Sequence, residues 1–313
     1  MKIKNKVFTA ITGIIILLLV AGLYIGTFKP PNISPPGRTD YGVCVHLYQF
    51  NSSTTIQLIN QINATWIRID WIPKQMDPFV KAMKDNNISI LAILDHNTMN
   101  TTYPNENFTR LQWQNEVQRI MSTESAKKVD TWEIWNEPNA DHFKMGYMNG
   151  TPQNYFEMLQ DAHQIIKAAS PNATILAAGL SPSNEISYFW KDWLNEFANL
   201  SPQEFFDFQG VHIYDDVETN LNIISETKEI MNKDVWITEI GKPTAPDGEG
   251  SPTEQASFLE VNYQRLSEMK IPIFWYQLID EIDDYPEKEK HFGLFDIQNN
   301  PKPAVDVFIR CTS

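Results

Sequence analysis

The chain has 313 residues, of which 42% are hydrophobic and 12% aromatic, and this composition excludes disordered and collagen-like proteins. Its 39 acidic residues outnumber its 25 basic residues, giving a formal net charge of −14. The first 29 residues contain four lysines and no acidic residue, so the rest of the chain is more acidic still. That charge has the wrong sign for binding nucleic acid through its phosphates, and we expect no nucleic-acid partner.

The N-terminal region has the pattern of a membrane segment. Residues 1–6 carry three lysines and predict a cytoplasmic basic region, and residues 7–26 are uncharged over a membrane-spanning length. We expect an uncleaved transmembrane anchor; the alternative is a cleaved signal segment, for which residues 21–24 offer a poor site. Residues 27–40 contain four prolines and predict a linker. The domain at 41–313 would then lie on the extracellular face of the membrane or be secreted.

An external location would permit glycosylation and disulfide formation. Cys44 and Cys311 could pair in an oxidising compartment, but we favour a small buried residue for Cys44 and an unpaired thiol for Cys311. The chain also has more Asn-x-Ser/Thr acceptor sites than its composition predicts, and we expect a glycoprotein. These acceptors are Asn32, Asn51, Asn63, Asn87, Asn100, Asn107, Asn149, Asn172 and Asn199.

From residue 41 onward, short β-branched or aromatic runs alternate with segments of helical spacing. Eight parallel strands covered by helices predict a (β/α)₈ TIM barrel, with a doubly wound open sheet as the competing fold. The predicted strands are Tyr41–His46, Thr65–Asp70, Ile88–Asp95, Val129–Asn136, Thr174–Leu180, Phe206–Tyr214, Val235–Ile240 and Ile273–Leu278.

Active residues of such barrels lie at the carboxyl ends of the strands, and polar or aromatic side chains occur there in this sequence. Two glutamates stand out: Glu137 follows the fourth predicted strand, and Glu239 lies near the end of the seventh. We expect both carboxylates to project into one crevice. Two such groups are what glycosidic bond cleavage requires, because one must donate a proton to the leaving oxygen and the other must attack the anomeric carbon.

The segments around the glutamates carry a family resemblance. Residues 132–139 read W-E-I-W-N-E-P-N and residues 236–239 read W-I-T-E, and further matching positions follow in order. The chain resembles glycoside hydrolase clan A, most closely its family 39 and family 5 types. The resemblance covers almost all of residues 41–308 and implies a retaining hydrolase of O-glycosyl bonds in a β-linked poly- or oligosaccharide.

The resemblance also implies roles for single residues. Glu137 would be the general acid/base and Glu239 the nucleophile, while Asn136 would bind the sugar 2-hydroxyl. Arg68 and Tyr214 would keep Glu239 ionised, and the charge of Arg68 gives an independent physical reason for that role. The remaining candidates for substrate binding are His212 as a supporting residue, Trp275 as the floor under the sugar, and His46, His96, Trp71, Tyr276 and Tyr48.

Several alternatives remain open. The acidic run at 280–289 is typical of a solvated loop, with a calcium site as the second interpretation. No zinc-ligand spacing, P-loop or dinucleotide motif occurs in the sequence, and we expect no metal and no cofactor. We expect a monomer whose partners are a glycan and, through its anchor, the membrane. A catalytically silent carbohydrate-binding scaffold and a transglycosylase are the alternative functions.

Overall fold

The computed structural model describes residues 40–46, 52–104, 107–183, 188–245, 250–282 and 286–313. The predicted basic region, membrane segment and all of the linker except residue 40 lie outside these residues, as do Asn32 and Asn51. Within the described ranges, no helix is long and apolar enough to cross a membrane.

The described residues form a closed barrel of eight strands, each parallel to its neighbours in chain order. Strand β8 pairs with β1, with Tyr41 opposite Ile273, and this closure confirms the TIM barrel and excludes the open sheet. The strands are β1 Tyr41–Cys44, β2 Trp66–Asp70, β3 Ser89–Leu94, β4 Thr131–Ile134, β5 Thr174–Ala177, β6 Phe208–Ile213, β7 Val235–Ile240 and β8 Ile273–Trp275.

Helices separate the strands along the chain. They are α1 Ser52–Gln61, α2 Met76–Asp85, α3 His96–Thr102, α4 Arg110–Met121, α5 Pro152–Ala169, α6 Trp190–Asn199, α7 Val217–Met231, α8 Pro252–Leu266 and α9 Ala304–Thr312. Short 3₁₀ helices occupy Ala126–Lys128, Asp141–Phe143, Pro202–Phe205, Ser267–Met269 and Glu287–His291.

Local sequence signals explain where the longer helices begin. The hydroxyl of Thr151 accepts a hydrogen bond from the Asn154 N–H, and Pro152 occupies the first turn of α5. Ser251 and Pro252 form the same arrangement at the start of α8. A hydroxyl cap satisfies a backbone donor that the helix leaves free, and proline has no such donor to lose. These signals fix the helices that cover strands β4 and β7.

Alternation along the strands divides the apolar residues into two clusters. The smaller cluster contains Cys44, Leu91, Leu176, Trp236 and Phe274, one residue from each of five strands, and we assign it to the barrel interior. The larger cluster contains the residues next to them on these strands, such as Val43, Ile237 and Trp275, packed with residues of the helices. Side chains in register with the smaller cluster therefore point into the barrel interior.

Both cysteines are free, as the favoured interpretation predicts. Cys44 is buried, and its thiol lies 3.6 Å from the Thr238 carbonyl oxygen on β7. Cys311 is half-buried and lies in the last helix, α9. The two ends of the barrel are joined by the β1–β8 pairing and not by a disulfide.

Candidate active site

The structure brings the two predicted catalytic glutamates together. Glu137 and Glu239 are 8% and 5% exposed, and a carboxylate oxygen of each lies within 4.8 Å of the other. The Nδ1 atom of His212 lies between them, 2.8 Å from Oε1 of Glu137 and 3.5 Å from Oε2 of Glu239. Residues on β6 and β7 and just beyond the end of β4 thus form one compact cluster.

The backbone at Glu137 is unusual. Trp135 and Glu137 have φ angles of 71° and 42°, in the left-handed region that non-glycine residues seldom adopt. The Glu137 N–H donates to the carbonyl oxygen of Gly179, 3.1 Å away, beyond the end of β5. Such strain persists only where the surrounding structure enforces it, and it concentrates at functional sites. It also explains why β4 ends at Ile134, two residues before the predicted end.

Arg68 contacts the cluster from β2 through three hydrogen bonds. Its Nε donates to Glu133 Oε2 at 2.6 Å, and its two terminal nitrogens donate to Glu239 Oε1 at 2.5 Å and to Asn136 Oδ1 at 2.8 Å. The predicted proximity of Arg68 and Glu239 is confirmed. Because the half-buried Asn136 accepts through its oxygen, its amide nitrogen can still donate a hydrogen bond.

The surroundings of Glu239 favour its charged form. Burial alone would raise the pKa of Glu239, but the charges of His212 and Arg68 and the hydrogen bonds from Tyr214 and Arg68 lower it below its ordinary value. The Tyr214 hydroxyl donates to Oε2 of Glu239, and burial raises the pKa of this phenol far above its usual range. Tyr214 therefore remains a protonated donor to an ionised carboxylate.

His212 is fully enclosed and shared by the two glutamates. Burial would lower its pKa, but the charge of Glu239 and the hydrogen bond and charge of Glu137 raise it above the ordinary histidine value. A Cβ atom on Gly179 would lie 2.2 Å from Cδ2 of the imidazole ring. The absence of a side chain at Gly179 therefore leaves room for the His212 ring. His212 contacts both glutamates and so has the supporting position that the sequence analysis expected.

Glu133 belongs to the site although the sequence analysis did not single it out. It is fully buried, accepts the Arg68 hydrogen bond, and accepts a second one from the Gly179 N–H at 3.1 Å. Its position on β4 gives a signal that could have identified it. Side chains alternate along a strand, so Glu133 had to face the interior together with Thr131, and a buried carboxylate needs a partner.

Trp275 does not form the predicted floor under the sugar. Its side chain is fully buried, contacts Phe258 and Tyr263 of α8 at ring-centroid distances of 6.2 and 6.4 Å, and donates from Nε1 to the Phe292 carbonyl oxygen. Phe274 occupies the interior position of β8, so alternation directs Trp275 outward against the helix. The prediction for Trp275 is wrong.

Trp71 is likewise not a sugar contact. It is 1% exposed and packs against Trp132, with ring centroids 5.0 Å apart, in the cluster between strands and helices. Trp71 follows Asp70 directly, and the side chains of Asp70 and Arg68 lie on the same face of β2, the face that points into the barrel. Adjacent residues of an extended chain face opposite ways, which places Trp71 outside the barrel.

Tyr276 and His46 do lie at the mouth. Tyr276 is half-buried, and its ring contacts Tyr214 edge-on at 6.3 Å and His46 at 5.5 Å. His46 is also half-buried, with Nε2 3.6 Å from Oε1 of the buried Glu281. Tyr276 thus has the inward position at the end of β8 that the sequence analysis gave to Trp275. Its contact with sugar, like that of His46, stays a prediction. Tyr48 lies outside the described residues.

His96 begins α3 beside two acidic residues. Its Nδ1 lies 3.1 Å from Oδ2 of Asp95, while Asn97 donates to Oδ2 of Asp70 at 3.0 Å. Burial lowers the pKa of His96, but the charge and hydrogen bond of Asp95 and the charge of Asp70 together outweigh it, so the net shift is upward. Burial and the charge of Asp95 raise the pKa of Asp70 to about 6. The half-buried His96 ring also contacts Phe143, with the ring centroids 4.9 Å apart, and its contact with sugar stays a prediction.

The described residues contain one group of three side chains spaced closely enough to ligate a metal, namely Glu137, His212 and Glu239. A histidine must be neutral to bind a metal, whereas the pKa of His212 is raised. Arg68 already supplies the positive charge that a metal would otherwise bring to Glu239.

The acidic run at 280–289 contains a residue with a structural role. Asp280 forms an ion pair with Lys302 at 2.7 Å and accepts a hydrogen bond from the Gly293 N–H, and these contacts stabilise the loop.

Comparisons with known proteins agree with this geometry. A family model described as "Glycosyl hydrolase catalytic core" matches residues 95–276. Among curated proteins, none matches the chain in sequence.

Solved structures extend the similarity to almost the whole barrel. A family 39 glycoside hydrolase from Bacteroides cellulosilyticus is 25% identical, with a TM-score of 0.66 over 88% of this chain and 64% of its own. The chain therefore spans less than two thirds of that protein. A monomeric β-xylosidase from Caulobacter crescentus is 14% identical, with a TM-score of 0.64 over 87% of this chain and 67% of its own. The GH5_18 protein from Bifidobacterium longum subsp. longum is 14% identical, with a TM-score of 0.65 over 87% and 78%. The last two show the fold alone.

Proposed function

The chain belongs to the glycosyl hydrolase catalytic core family, and from this premise we propose that it is a retaining glycosidase acting on a β-linked poly- or oligosaccharide. One observation carries the proposal: carboxylate oxygens of Glu137 and Glu239 lie within 4.8 Å of each other. Retaining enzymes hold their two carboxyl groups about 5–5.5 Å apart, whereas inverting enzymes need about 6.5–9.5 Å to admit a water molecule.

The first step forms a bond between Glu239 and the sugar. The ionised Oε of Glu239 attacks the anomeric carbon while Glu137 transfers its proton to the glycosidic oxygen, and the leaving sugar departs with that proton. The lowered pKa of Glu239 keeps the attacking group charged. In this mechanism the Asn136 amide nitrogen donates to the 2-hydroxyl of the same sugar.

The second step restores the enzyme. Glu137, now ionised, accepts a proton from a water molecule whose oxygen attacks the anomeric carbon, and the bond to Glu239 breaks. Two inversions at the same carbon give net retention. An acceptor sugar in place of water would give transglycosylation by the same route.

A panel of β-glucans, β-mannans, β-xylans and β-galactans tests the proposal by the release of reducing sugar. The full chain, purified in mild detergent, should act on at least one glycan, and Glu239→Gln should lose that activity. Glu229→Gln on the exposed face of α7 is the matched control and should behave as the parent. Equal binding by parent and Glu239→Gln without release by either would favour the silent scaffold; sugar transfer without net release would favour the transglycosylase.

We also propose that residues 7–26 anchor the domain at 41–313, as a glycosylated monomer, on the outer face of a membrane. The charge pattern of residues 1–26 and the Asn-x-Ser/Thr sites support this arrangement. Protease added to intact cells should cleave the domain, and the protein should stay with the membrane after alkaline carbonate extraction. Release by carbonate would instead support the cleaved signal segment.

A further inference from the structure

The two carboxylate oxygens of Glu137 have different surroundings. Oε1 lies 2.8 Å from His212 Nδ1, on the interior side of the site. Oε2 lies 3.9 Å from Nε2 of His142, which is too long for a hydrogen bond, and it has no hydrogen-bond partner in the described part of the chain. The proposed acid/base therefore has one oxygen occupied by the enzyme and one, Oε2, left for the glycosidic oxygen.

Aromatic rings line the mouth beside this second oxygen. His142 is 65% exposed and its ring centroid lies 4.0 Å from that of the half-buried Phe143. The Phe143 ring in turn contacts His96 at 4.9 Å. We call His96, His142 and Phe143 the aromatic ledge. Such a surface offers apolar ring faces to the apolar face of a pyranose, while the histidine nitrogens can hydrogen-bond its hydroxyls.

Residues 139–150 form the loop that carries His142 and Phe143, and this loop is held at both ends. Asn139 donates to the Ser181 carbonyl oxygen at 2.9 Å and accepts from the Ser181 N–H at 3.0 Å, and all of these atoms are buried. Trp193 donates from Nε1 to the carbonyl oxygen of Gly150 at 2.8 Å.

The middle of the loop is also fixed. Gly146 has a φ of +55°, and a Cβ atom there would lie 2.4 Å from the Phe108 backbone nitrogen. The Tyr147 N–H donates to the Phe108 carbonyl oxygen at 2.7 Å. Because the loop is ordered by its own contacts, a ligand on the ledge would not bear the entropic cost of ordering it.

We propose that the aromatic ledge is the binding site for the leaving sugar, the residue on the reducing side of the cleaved bond. The inference rests on the proposed function. The glycosidic oxygen joins two sugars, and one of them must lie against Glu239 for attack. If Oε2 of Glu137 protonates that oxygen, the other sugar extends past Oε2, and the ledge is the surface there. The ledge then selects which glycan is cleaved and which sugar can accept in a transfer reaction.

Two substrates with the same attacked sugar separate this role from a general one. The first is an oligosaccharide found in the glycan panel, and the second is the corresponding glycosyl fluoride, whose leaving group has no ring. Phe143→Ala should lower kcat/KM about tenfold on the oligosaccharide, the effect of losing one aromatic contact. The loss on the fluoride should be at least fivefold smaller, about twofold or less.

A second variant and a control keep the test decisive. His142→Ala should also lose more activity on the oligosaccharide than on the fluoride. Because the His142 side chain is exposed, we expect this substitution to leave the fold intact. Phe189→Ala removes an exposed aromatic ring next to Trp190 and should match the parent on both substrates. Transfer of the glycosyl group to an added acceptor sugar should also fall in both ledge variants.

The possible failures are distinct. If the parent cleaves neither substrate, the proposed function itself fails. If the parent is active and the ledge variants lose activity equally on both substrates, the ledge only supports the catalytic residues. If they lose activity on neither substrate, the leaving sugar binds elsewhere, and the inference is overturned.

Discussion

Replacing Arg68 by methionine tests how the buried charges of the site are balanced. The Arg68 side chain is 3% exposed and hydrogen-bonds Glu133, Glu239 and Asn136. Removing one partner of a buried ion pair costs about 3–5 kcal/mol, because it leaves a charge that neither water nor protein stabilises. Glu133 would keep the Gly179 N–H and Glu239 would keep the Tyr214 hydroxyl, so we expect a loss of about 3–4 kcal/mol in the free energy of unfolding near neutral pH.

The loss should depend on pH with a definite sign. In the parent, the pKa of Glu239 is lowered, so its ionised form contributes stability above the ordinary carboxyl range, and this contribution disappears as pH falls through the lowered pKa. Without Arg68, burial should raise the pKa of Glu239. As pH falls, Glu239 should then be protonated at a higher pH in the variant than in the parent, and this removes the uncompensated buried charge. The difference between parent and variant should therefore be largest near neutral pH and shrink as the solution is made acidic.

Urea unfolding of Arg68→Met and parent at about pH 7 and about pH 5 measures both effects. Arg310→Met is the matched control, since Arg310 is 59% exposed in its pair with Glu260 on the outer helices. That variant should lose less than about 1 kcal/mol. A loss below about 1 kcal/mol for Arg68→Met near neutral pH, or an equal loss at both pH values, would refute the reasoning.

Substitutions at single residues of the site and its surroundings have distinct expected effects. Glu137→Ala should lower hydrolysis of the chosen oligosaccharide about 10²–10⁴-fold; added azide should restore turnover of an activated aryl glycoside and give the glycosyl azide of retained configuration, seen by NMR. Tyr214→Phe removes a donor to Glu239, so the pKa of Glu239 should rise and the acid limb of the kcat/KM–pH profile should move to higher pH. Trp275→Ala should cost about 3–5 kcal/mol in urea unfolding, whereas Tyr276→Ala should raise KM with a smaller loss of stability. Gly179→Ala should displace His212 and lower kcat, and a normal kcat would contradict the assigned packing.

The sequence could predict the barrel and the catalytic pair because both depend on local signals. Eight buried apolar runs alternate with segments of helical periodicity, a pattern that predicts parallel strands. In a closed barrel of parallel strands, all the carboxyl ends lie on the same face. Glu137 and Glu239 were therefore expected to lie close together, although 102 residues separate them in the sequence. Several predicted strands extended too far; at β4 the left-handed backbone of Trp135 and Glu137 is held by contacts distant in the chain, from the Trp135 N–H to the Leu94 carbonyl oxygen and from the Glu137 N–H to that of Gly179.

The two wrong predictions of a sugar contact, Trp275 and Trp71, have one physical origin, the direction of their side chains. Trp275 and Trp71 stand next to functional positions, but each points into the layer between strands and helices. Their residue type favoured sugar binding, whereas alternation against Phe274 and Arg68 excluded it.

The aromatic ledge lay beyond sequence reasoning for a different reason. Its rings come from His96, the first residue of α3, and from the 3₁₀ helix that contains His142 and Phe143, and their convergence depends on how residues 139–150 are held by Ser181, Trp193 and Phe108. Loop conformation of this kind is a product of tertiary packing and has no periodic signal in the sequence.

Covalent trapping tests the central claim most directly. A 2-deoxy-2-fluoro glycoside of the sugar identified in the panel, carrying a good leaving group, should form a glycosyl-enzyme that accumulates because its hydrolysis is slow. Mass spectrometry of the digested protein should place the sugar on the peptide that contains Glu239, and Glu239→Gln should give no adduct. A label on another residue, or rapid turnover to a product of inverted configuration with no adduct, would contradict the double-displacement account.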